Sequence, residues 1–447
     1  MISQEIAARV LERVEKETIS AKEALRKLLP KNLDYKIRGS IHAYVFETLK
    51  RLNTIDYLIN LALINKNTQD LKPFIRNLIR IGVYEMKFKL VHPALATDSI
   101  VRIAKSKISP NAAALANAVL RKVENINLDD ELDKIKRVNY IKYLSLKYSH
   151  PEWFVKYLID LIGERDAIKF MIANLSTGPV YIRVNELKIS MENLKRLLEK
   201  EKVLVEETKL PDVLKVVEYE KPLTALDLHE KGYYVIQDIA SALVVHILNP
   251  EPGDTILDLA AAPGMKTSHI ASKMENKGKI IAVDNSPERV RKMMLKLKIL
   301  GIKNVECKIS DGTKFKTNQK VDKVLIDPPC SSTGVFRNYP SVKWRFDEKK
   351  FRSTITIQYK MLRNAHRNLD VSGCVVYSTC SIMVEENEDN ISKVLDIMKV
   401  EKISSPFGDK GIDKFKNKEY KFWRKVIRTF PHKHECSGFF IAKLLKS

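Results

Sequence analysis

The chain has 447 residues, enough for two or three domains with their own cores, and no apolar run approaches the roughly 20 residues of a membrane-spanning helix. Its 78 basic and 55 acidic residues leave a net charge of +23, which favours a polyanionic partner but also fits an ordinary lysine-rich protein. Five scattered cysteines do not suit a disulfide framework, and no secretory-signal pattern opens the sequence. We therefore expect a cytoplasmic protein that makes no membrane contact.

The first 130 residues carry a helical pattern. Apolar side chains recur three or four positions apart, as in Ile41, Val45 and Leu49, and glycine is scarce. Polar clusters mark the turns between these stretches. The pattern predicts an all-α N-terminal domain over residues 1–130.

The sequence pattern changes from helical to strand-like within residues 131–230. A helical stretch runs to about Ala173, and then Val180–Val184 and Val213–Val217 alternate as strands do. We predict linker helices followed by a small α+β domain in this part of the chain.

Residues 231–447 alternate between strand and helix patterns, which is typical of an α/β domain with a Rossmann-like parallel sheet. Ligands of such sheets bind beyond the carboxyl ends of the strands. The predicted strands are Thr255–Leu259, Lys279–Asp284, Val305–Ile309, Lys323–Asp327 and Gly373–Ser378.

The turn after the first of these strands is rich in small residues, from Asp258 to Thr267. Small residues let the backbone approach a ligand, and the following helix directs its N–H groups toward it. The next strand ends at Asp284, whose carboxylate can accept hydrogen bonds from both hydroxyls of a ribose. The pattern fits a dinucleotide site or an ordinary strand–turn–helix. Because Asp311 and Asp327 also end strands, we favour a ligand with a ribose, an amino group and a sulfonium cation.

Two cysteines follow neighbouring strand patterns. The segment Asp327–Gly334 places Cys330 after the fourth strand, and Tyr377–Ser381 places Cys380 after the fifth. Both are compatible with inert packing, the usual role of a buried cysteine. Two thiols at one edge of a parallel sheet instead favour nucleophilic catalysis.

Methylation at C5 of a pyrimidine is a reaction that needs such a thiol. That carbon is too weak a nucleophile until a thiolate adds to C6 and turns the ring into an enamine. The adduct must then lose the C5 proton and expel the thiolate, which a second polar group can assist. The target base must be unstacked, so single-stranded or loop RNA suits the reaction.

With these motifs the chain resembles the Sun (NSUN) family of RNA 5-methylcytosine methyltransferases, in its bacterial RsmB-like branch. The resemblance covers about residues 140–445. It rests on Asp258–Thr267, Val283–Asp284 with Arg289, Ser310–Gly312, Asp327–Gly334 with Lys343–Trp344, Tyr377–Cys380 with Glu385–Asn387, and Pro431 with Gly438–Ala442.

The resemblance implies roles for particular residues. The family's Thr-Cys nucleophile corresponds to Cys380, and the cysteine after Pro-Pro, which assists release, corresponds to Cys330. Asp327 and Lys266 are implied to lie close to the target base as further catalytic residues. The implied cofactor is S-adenosyl-L-methionine. It would be held by Ala260, Ala261, Ala262, Pro263, Gly264, Met265, Lys266, Asp284, Arg289, Asp311 and Asp327.

The first 125 residues resemble the NusB-like RNA-binding domain of this branch, through Arg38–Gly39, Arg76–Tyr84, Pro93 and Asn117–Arg121. The middle domain resembles the N-terminal extension of the family's catalytic domain. The branch implies an RNA partner, with 16S ribosomal RNA favoured and transfer RNA as the alternative, and we expect a monomer. A non-catalytic RNA-binding or assembly factor is the other candidate, although it needs neither thiol. A DNA cytosine methyltransferase would leave Cys380 idle.

Three features stay outside this assignment. The family's Cys-Ala-Ala-Pro-Gly-Gly-Lys loop here has Ala260 and Met265, and a side chain at position 265 predicts a shifted backbone. The run Lys414–Lys425 either grips single-stranded RNA through bases and aromatic rings or is a solvated face with a few anchors. His432–Cys436 lacks a second ligand cluster, so we expect no metal site.

Overall fold

The computed structural model describes residues 1–30 and 33–446. They form two compact units, the first made of residues 1–177 and 336–345 and the second of residues 178–335 and 346 onward. Within the described ranges no helix is both long and apolar enough to cross a membrane. The predicted domain borders near residues 130 and 230 stay predictions.

The first unit is helical, which confirms the all-α prediction for the N-terminal domain. Its helices are α1 (Ile2–Glu17), α2 (Ala21–Leu28), α3 (Tyr35–Lys50), α4 (Leu52–Ala62), α5 (Pro73–Lys87), α6 (Pro93–Lys107), α7 (Pro110–Glu124), α8 (Leu128–Val138), α9 (Tyr140–Lys147), α10 (Glu152–Ile162) and α11 (Glu164–Leu175).

Helix α5 lies at the centre of the first unit, packed against α1, α3, α4, α6 and α7. It begins with a proline, whose missing N–H costs no hydrogen bond in the first turn. Its apolar residues Leu78, Ile79 and Ile81 are fully buried, each stabilising the fold by about 1.5–3 kcal/mol. The equally buried Arg80 is neutralised by Glu15 and Asp56.

Residues 336–345 pack into this helical unit although they lie far along the sequence. Lys343 Nζ donates to the backbone carbonyls of Lys50 and Ser149 at 2.8 and 2.9 Å. Trp344 Nε1 donates to Leu49 O at 2.7 Å, and its ring packs against the unit's core. Sequence patterns had assigned this segment to the C-terminal domain, because nothing in its composition indicates a helical neighbour.

The second unit opens with a small antiparallel sheet and confirms the predicted α+β domain. Its elements are β1 (Val180–Val184), α12 (Met191–Lys200), β2 (Val203–Glu207), β3 (Val213–Tyr219), α13 (Asp227–Glu230) and β4 (Tyr234–Ile236). The strand order is β2-β3-β1-β4.

The rest of the second unit is an α/β domain. Its elements are α14 (Ile239–Leu248), β5 (Thr255–Leu259), α15 (Met265–Lys273), β6 (Lys279–Asp284), α16 (Pro287–Ile299), β7 (Val305–Ile309), β8 (Val321–Ile326), α17 (Glu348–Asn368), β9 (Leu369–Thr379), α18 (Glu388–Ser392), β10 (Met398–Glu401), β11 (Asp409–Lys410), β12 (Lys414–Phe415), β13 (Lys418–Glu419), β14 (Ile427–Thr429), α19 (Pro431–His434) and β15 (Phe439–Lys446).

The large sheet has the order β11-β14-β15-β9-β8-β5-β6-β7. Strands β5 to β9 run parallel, which confirms the Rossmann-like prediction, and β15 pairs antiparallel with β9. The predicted first three strands match β5, β6 and β7 residue for residue, whereas β9 begins earlier than predicted, at Leu369. The carboxyl ends of the parallel strands therefore share one edge, and the loops that follow β5, β6, β8 and β9 lie side by side there.

Candidate active site

The two predicted catalytic cysteines meet at this edge. Strands β8 and β9 are parallel neighbours, with Ile326 opposite Tyr377, so the loops that follow them leave the sheet together. Cys330 Sγ lies 3.3 Å from Cys380 Sγ, and both thiols are free and partly exposed. The predicted juxtaposition of the two sulfurs is present in the structure.

The contact between the two thiols shifts their pKa values in opposite directions. The hydrogen bond with Cys330 lowers the pKa of Cys380 against the opposing effect of burial. The same hydrogen bond, together with burial, raises the pKa of Cys330 well above its ordinary value. The two opposite shifts favour Cys380 as the sulfur that ionises and Cys330 as its hydrogen-bond donor. A thiolate is the nucleophilic form of cysteine.

Ser332 also faces the thiols. Its Oγ lies 3.5 Å from Cys380 Sγ and 3.9 Å from Cys330 Sγ. Its φ of 57° is left-handed, a conformation that L residues rarely adopt and that often marks functional loops. The turn brings the serine hydroxyl back over the two sulfurs.

Lys266 and Asp327 form an ion pair in the same region. Lys266 lies in the first turn of α15, and its Nζ is 2.5 Å from Asp327 Oδ2. Ser378 Oγ donates to the other carboxylate oxygen, Oδ1, at 3.2 Å. The Asp327 side chain remains 34% exposed, so the fixed carboxylate is accessible to a ligand.

The loop between β5 and α15 brings its backbone against Asp284. The Ala262 N–H donates to Asp284 Oδ2 at 3.3 Å, and Arg289 donates to the carbonyl of Ala262. Gly264 has a φ of +86°, and a Cβ there would lie 2.7 Å from Met293 Cγ, so glycine is required. The turn packs closely against Asp284 and Met293, and its approach to a ligand stays a prediction.

The charged groups around this loop fit the predicted cofactor. Asp284 ends β6, and Asp311 follows β7, where a hydrogen bond from the Thr313 N–H lowers its pKa and keeps it ionised. Asp327 follows β8. These three carboxylates lie at successive strand ends. Carboxylates can accept hydrogen bonds from ribose hydroxyls and an amino group, and their negative charge suits a sulfonium cation.

The two departures in this loop have different outcomes. Met265 is the first residue of α15 and is not among the residues with positive φ, so its own φ is compatible with a side chain. The backbone shift expected from Met265 stays a prediction. Ala260 instead has a φ of 64°. A left-handed alanine carries a strain of about 1–2 kcal/mol.

The sequence analysis did not identify the residues that support the loops carrying Cys330 and Cys380. Glu386 is fully buried, and its carboxylate accepts hydrogen bonds from Ser331 N at 2.8 Å and Gln358 Nε2 at 2.9 Å. The neighbouring Asn387, equally buried, bonds Thr379 Oγ1 at 2.6 Å and Ser381 O at 2.9 Å. The only sequence signal was their place in the motif Glu385–Asn387.

The sequence analysis also missed a cluster of Asp212, His246 and His269, of which Asp212 and His269 are buried and His246 is half-buried. Each histidine Nε2 lies 2.7 Å from a different oxygen of Asp212, and Lys273 Nζ lies 3.1 Å from the same carboxylate. These distances are those of direct hydrogen bonds, and the lysine already supplies a cation. The cluster ties the loop before β3 to α14 and α15, and spacing in the sequence gave no sign of it.

The two remaining motifs now have structural explanations. In the run Lys414–Lys425 the rings of Phe415, Tyr420 and Phe422 are buried, which favours anchors over stacking platforms for RNA. His434 Nδ1 accepts the Phe430 N–H at 3.0 Å. In the described part of the chain, His432–Cys436 belongs to no cluster of three metal-ligating atoms.

Family models match most of the chain. Residues 245–445 match the 16S rRNA methyltransferase RsmB/F family, and residues 1–125 match the NusB family. Residues 150–220 match the ferredoxin-like domain of RsmF/B-like methyltransferases. These matches follow the order of the helical, small α+β and α/β parts described above.

Curated relatives of this chain are named as RNA methyltransferases. The ribosomal RNA small subunit methyltransferase B of Klebsiella pneumoniae is 30% identical over 87% of this chain and 88% of that protein. The human 28S rRNA (cytosine(4447)-C(5))-methyltransferase is 34% identical over 68% of this chain, which spans 39% of the human protein's length. The tRNA (cytosine(72)-C(5))-methyltransferase of Pyrococcus horikoshii is 41% identical over 50% of this chain and 55% of that protein.

Solved structures share the fold. The crystal structure of PH0851 has a TM-score of 0.83 at 28% identity and covers 99% of both chains. NSun6 from Pyrococcus horikoshii, solved with SFG, has a TM-score of 0.60 at 30% identity over 66% of this chain and 98% of that chain. SFG is an analogue of S-adenosyl-L-methionine.

Proposed function

Because this chain belongs to the RsmB/F family of methyltransferases, we propose that it transfers a methyl group from S-adenosyl-L-methionine to C5 of a cytosine in 16S ribosomal RNA. One observation carries the proposal: the sulfurs of Cys330 and Cys380 lie 3.3 Å apart beside the cofactor loop. A protein that only binds RNA needs neither thiol. The non-catalytic assembly factor is therefore the weaker candidate.

The thiolate of Cys380 begins the reaction by adding to C6 of the cytosine. Its lowered pKa provides the ionised sulfur, and the Cys330 thiol is its hydrogen-bond donor. Lys266 donates to the ring carbonyl as negative charge develops, and Asp327 accepts from the exocyclic amino group. Their mutual ion pair holds both in place before the base arrives.

When bound, S-adenosyl-L-methionine supplies an electrophilic methyl group to the activated C5. The residues that would hold it are the loop from Ala260 to Lys266 with Asp284, Arg289, Asp311 and Asp327, which follow or end strands β5 to β8 or begin the helices after them. Release then requires loss of the C5 proton to water and breakage of the bond between C6 and Cys380. The sulfur of Cys380 leaves as a thiolate, and the Cys330 thiol stabilises it by donating a hydrogen bond.

Small-subunit ribosomal RNA is favoured by the full order of matched parts, including the NusB-like first 125 residues. Transfer RNA is the second candidate, because the Pyrococcus relative, named for a tRNA, matches the catalytic part. The net charge of +23 suits either polyanion. We further propose that the protein acts in the cytoplasm as a monomer, in keeping with five free cysteines.

Bisulfite sequencing of total RNA from cells with and without this protein tests the proposal. A single methylcytosine that disappears from 16S ribosomal RNA supports it, and one that disappears from a transfer RNA selects the second candidate. Cells complemented with Cys380→Ala must lack the same methyl group. Restoration of the mark by that variant would contradict the assigned nucleophile.

A further inference from the structure

Ser332 lies between two residues whose hydroxyls join the two cysteine loops. Ser331 Oγ lies 2.9 Å and Thr333 Oγ1 lies 3.1 Å from Ser381 Oγ, the hydroxyl directly after Cys380. The loops are therefore linked on both sides of Ser332. These links fix the backbone of Ser332 within one hydrogen-bonded unit.

Glu386 and Gly334 strengthen the link between the loops. The buried Glu386 carboxylate accepts hydrogen bonds from the hydroxyls of Ser331 and Ser381. The Gly334 N–H donates to the carbonyl of Cys380 at 3.0 Å, and a Cβ at this glycine would lie 2.9 Å from the same oxygen. The loops that carry the two thiols are therefore held together as one unit.

The hydroxyl of Ser332 contacts the sulfurs instead of the link between the loops. Its Oγ lies 3.5 Å from Cys380 Sγ, a hydrogen-bonding distance for the large sulfur atom, and 3.9 Å from Cys330 Sγ. The backbone of Ser332 is left-handed, with a φ of 57°, so its hydroxyl takes a different direction from those of Ser331 and Thr333. The turn thus places a hydroxyl against the sulfur that attacks the base.

Several groups act on the charge of the Cys380 sulfur. The hydrogen bond with Cys330 lowers the pKa of Cys380, whereas burial and the carboxylate of Asp327 raise it. The hydrogen bond with Ser332 and the charge of Lys266 lower it as well. Lys266 and Asp327 are paired with each other, so their effects on the sulfur oppose one another. Because a thiol is a weak donor, Cys330 stabilises the anion only in part, and the serine hydroxyl adds a second hydrogen bond.

We propose that Ser332 is a further catalytic residue, whose hydroxyl donates a hydrogen bond to the Cys380 sulfur whenever that sulfur is anionic. The sulfur is anionic before it attacks C6 and again when it leaves the methylated base. A thiolate carries no proton, so the serine must be the donor, and it keeps its own proton in both steps. This inference rests on the proposed function, which defines the two steps.

Two substitutions separate the hydroxyl from the backbone conformation. Ser332→Ala removes the hydroxyl and leaves a side chain at the left-handed position. Ser332→Gly removes the same hydroxyl, but glycine adopts a positive φ without strain. If the hydroxyl matters, both variants must change alike. If only the conformation of the turn matters, they must differ.

The first measurement is the rate at which iodoacetamide alkylates Cys380 in the full-length chain, across pH 5–10 and without RNA. Fragment ions distinguish Cys380 from Cys374, which lies on β9. At pH 7 we expect both variants to react about 3–10-fold more slowly than wild type, because loss of a hydrogen bond to the thiolate leaves less of it ionised. At pH 10 they should react at least as fast, since a less stabilised thiolate is more nucleophilic.

The second measurement is single-turnover methyl transfer from labelled S-adenosyl-L-methionine to the RNA identified by bisulfite sequencing. Both variants should be slower than wild type at pH 7, and the difference should narrow as the pH rises. Ser372→Ala is the matched control, because it removes an exposed hydroxyl from β9 and should leave both rates unchanged. Melting temperatures establish that each variant is folded.

Wild-type alkylation profiles in both variants would overturn the inference. A slower Ser332→Ala beside a normal Ser332→Gly would assign the effect to the backbone, and the reverse would assign it to mobility of the loop. Rates lowered by one factor at every pH would indicate a displaced loop rather than a lost donor. If the wild-type chain methylates no RNA, the proposed function fails, and alkylation still decides whether the Ser332 hydroxyl stabilises the thiolate.

Discussion

The Cys330 and Cys380 sulfurs share one hydrogen bond across 3.3 Å, and the pKa of the two thiols moves in opposite directions as a result. Because the thiolate is the reactive form, iodoacetamide at neutral pH should alkylate Cys380 before Cys330. Rates of modification are read from the two peptides by mass spectrometry across pH 5–10. Faster modification of Cys330 at neutral pH would reverse the assignment of nucleophile and donor.

Cys330→Ala should also raise the pKa of Cys380, since the thiolate loses its hydrogen-bond donor. At any pH below the new midpoint a smaller fraction is ionised, so the alkylation profile shifts to higher pH. In the presence of RNA and cofactor the variant should still form the covalent adduct and fail to release it. Cys307→Ala, a change in β7, is the control and should turn over normally.

Asp327→Asn removes a charge while keeping the shape of the side chain. We expect turnover to fall by about 100-fold, the lower range for loss of one fixed electrostatic contact, because Lys266 loses its ion-pair partner and the base loses a charged acceptor. The rate is measured as tritium transferred from labelled cofactor to RNA. Asp396→Asn, which breaks only the exposed pair with Arg363, should have no effect.

Ala260→Gly should stabilise the protein. The left-handed alanine at φ 64° carries a strain of about 1–2 kcal/mol that glycine does not, partly offset by the greater freedom of glycine in the unfolded chain. We expect a melting temperature higher by up to about 2–4 °C in a domain of this size. Ala261→Gly, at a position without positive φ, should lower it, and a rise in both would point to another cause.

The proximity of the two sulfurs could be predicted from the sequence, but the residues that support their loops could not. A parallel sheet aligns strand ends, so Cys330, four residues beyond β8, and Cys380, the first residue beyond β9, leave neighbouring strands at the same edge of the sheet. The supporting role of Glu386 depends instead on how α17 and the turn at Ser331 pack against it. The local spacing of residues in the sequence does not predict that packing. For the same reason the Asp212 cluster, drawn from three separate elements, had no signal in the spacing of its members.

The departure from the family's loop at Met265 is visible in the sequence, but its effect on the loop stays a prediction. The position of this loop with positive φ that also lacks space for a Cβ is Gly264. Met265 follows as the first residue of α15 and is not among the residues with positive φ. A glycine in a motif therefore does not by itself show which of two neighbouring positions requires it.

The buried contacts of Lys343 affect whether the α/β part can be studied without the helical part. Its ammonium is buried, which lowers its pKa well below the ordinary value, and it is satisfied by carbonyls of Lys50 and Ser149. A shortened chain beginning at residue 178 would strip these acceptors from a stretch that follows Cys330 by only a dozen residues. We therefore expect the α/β part made without the helical part to be less stable than in the full chain, even before RNA is added.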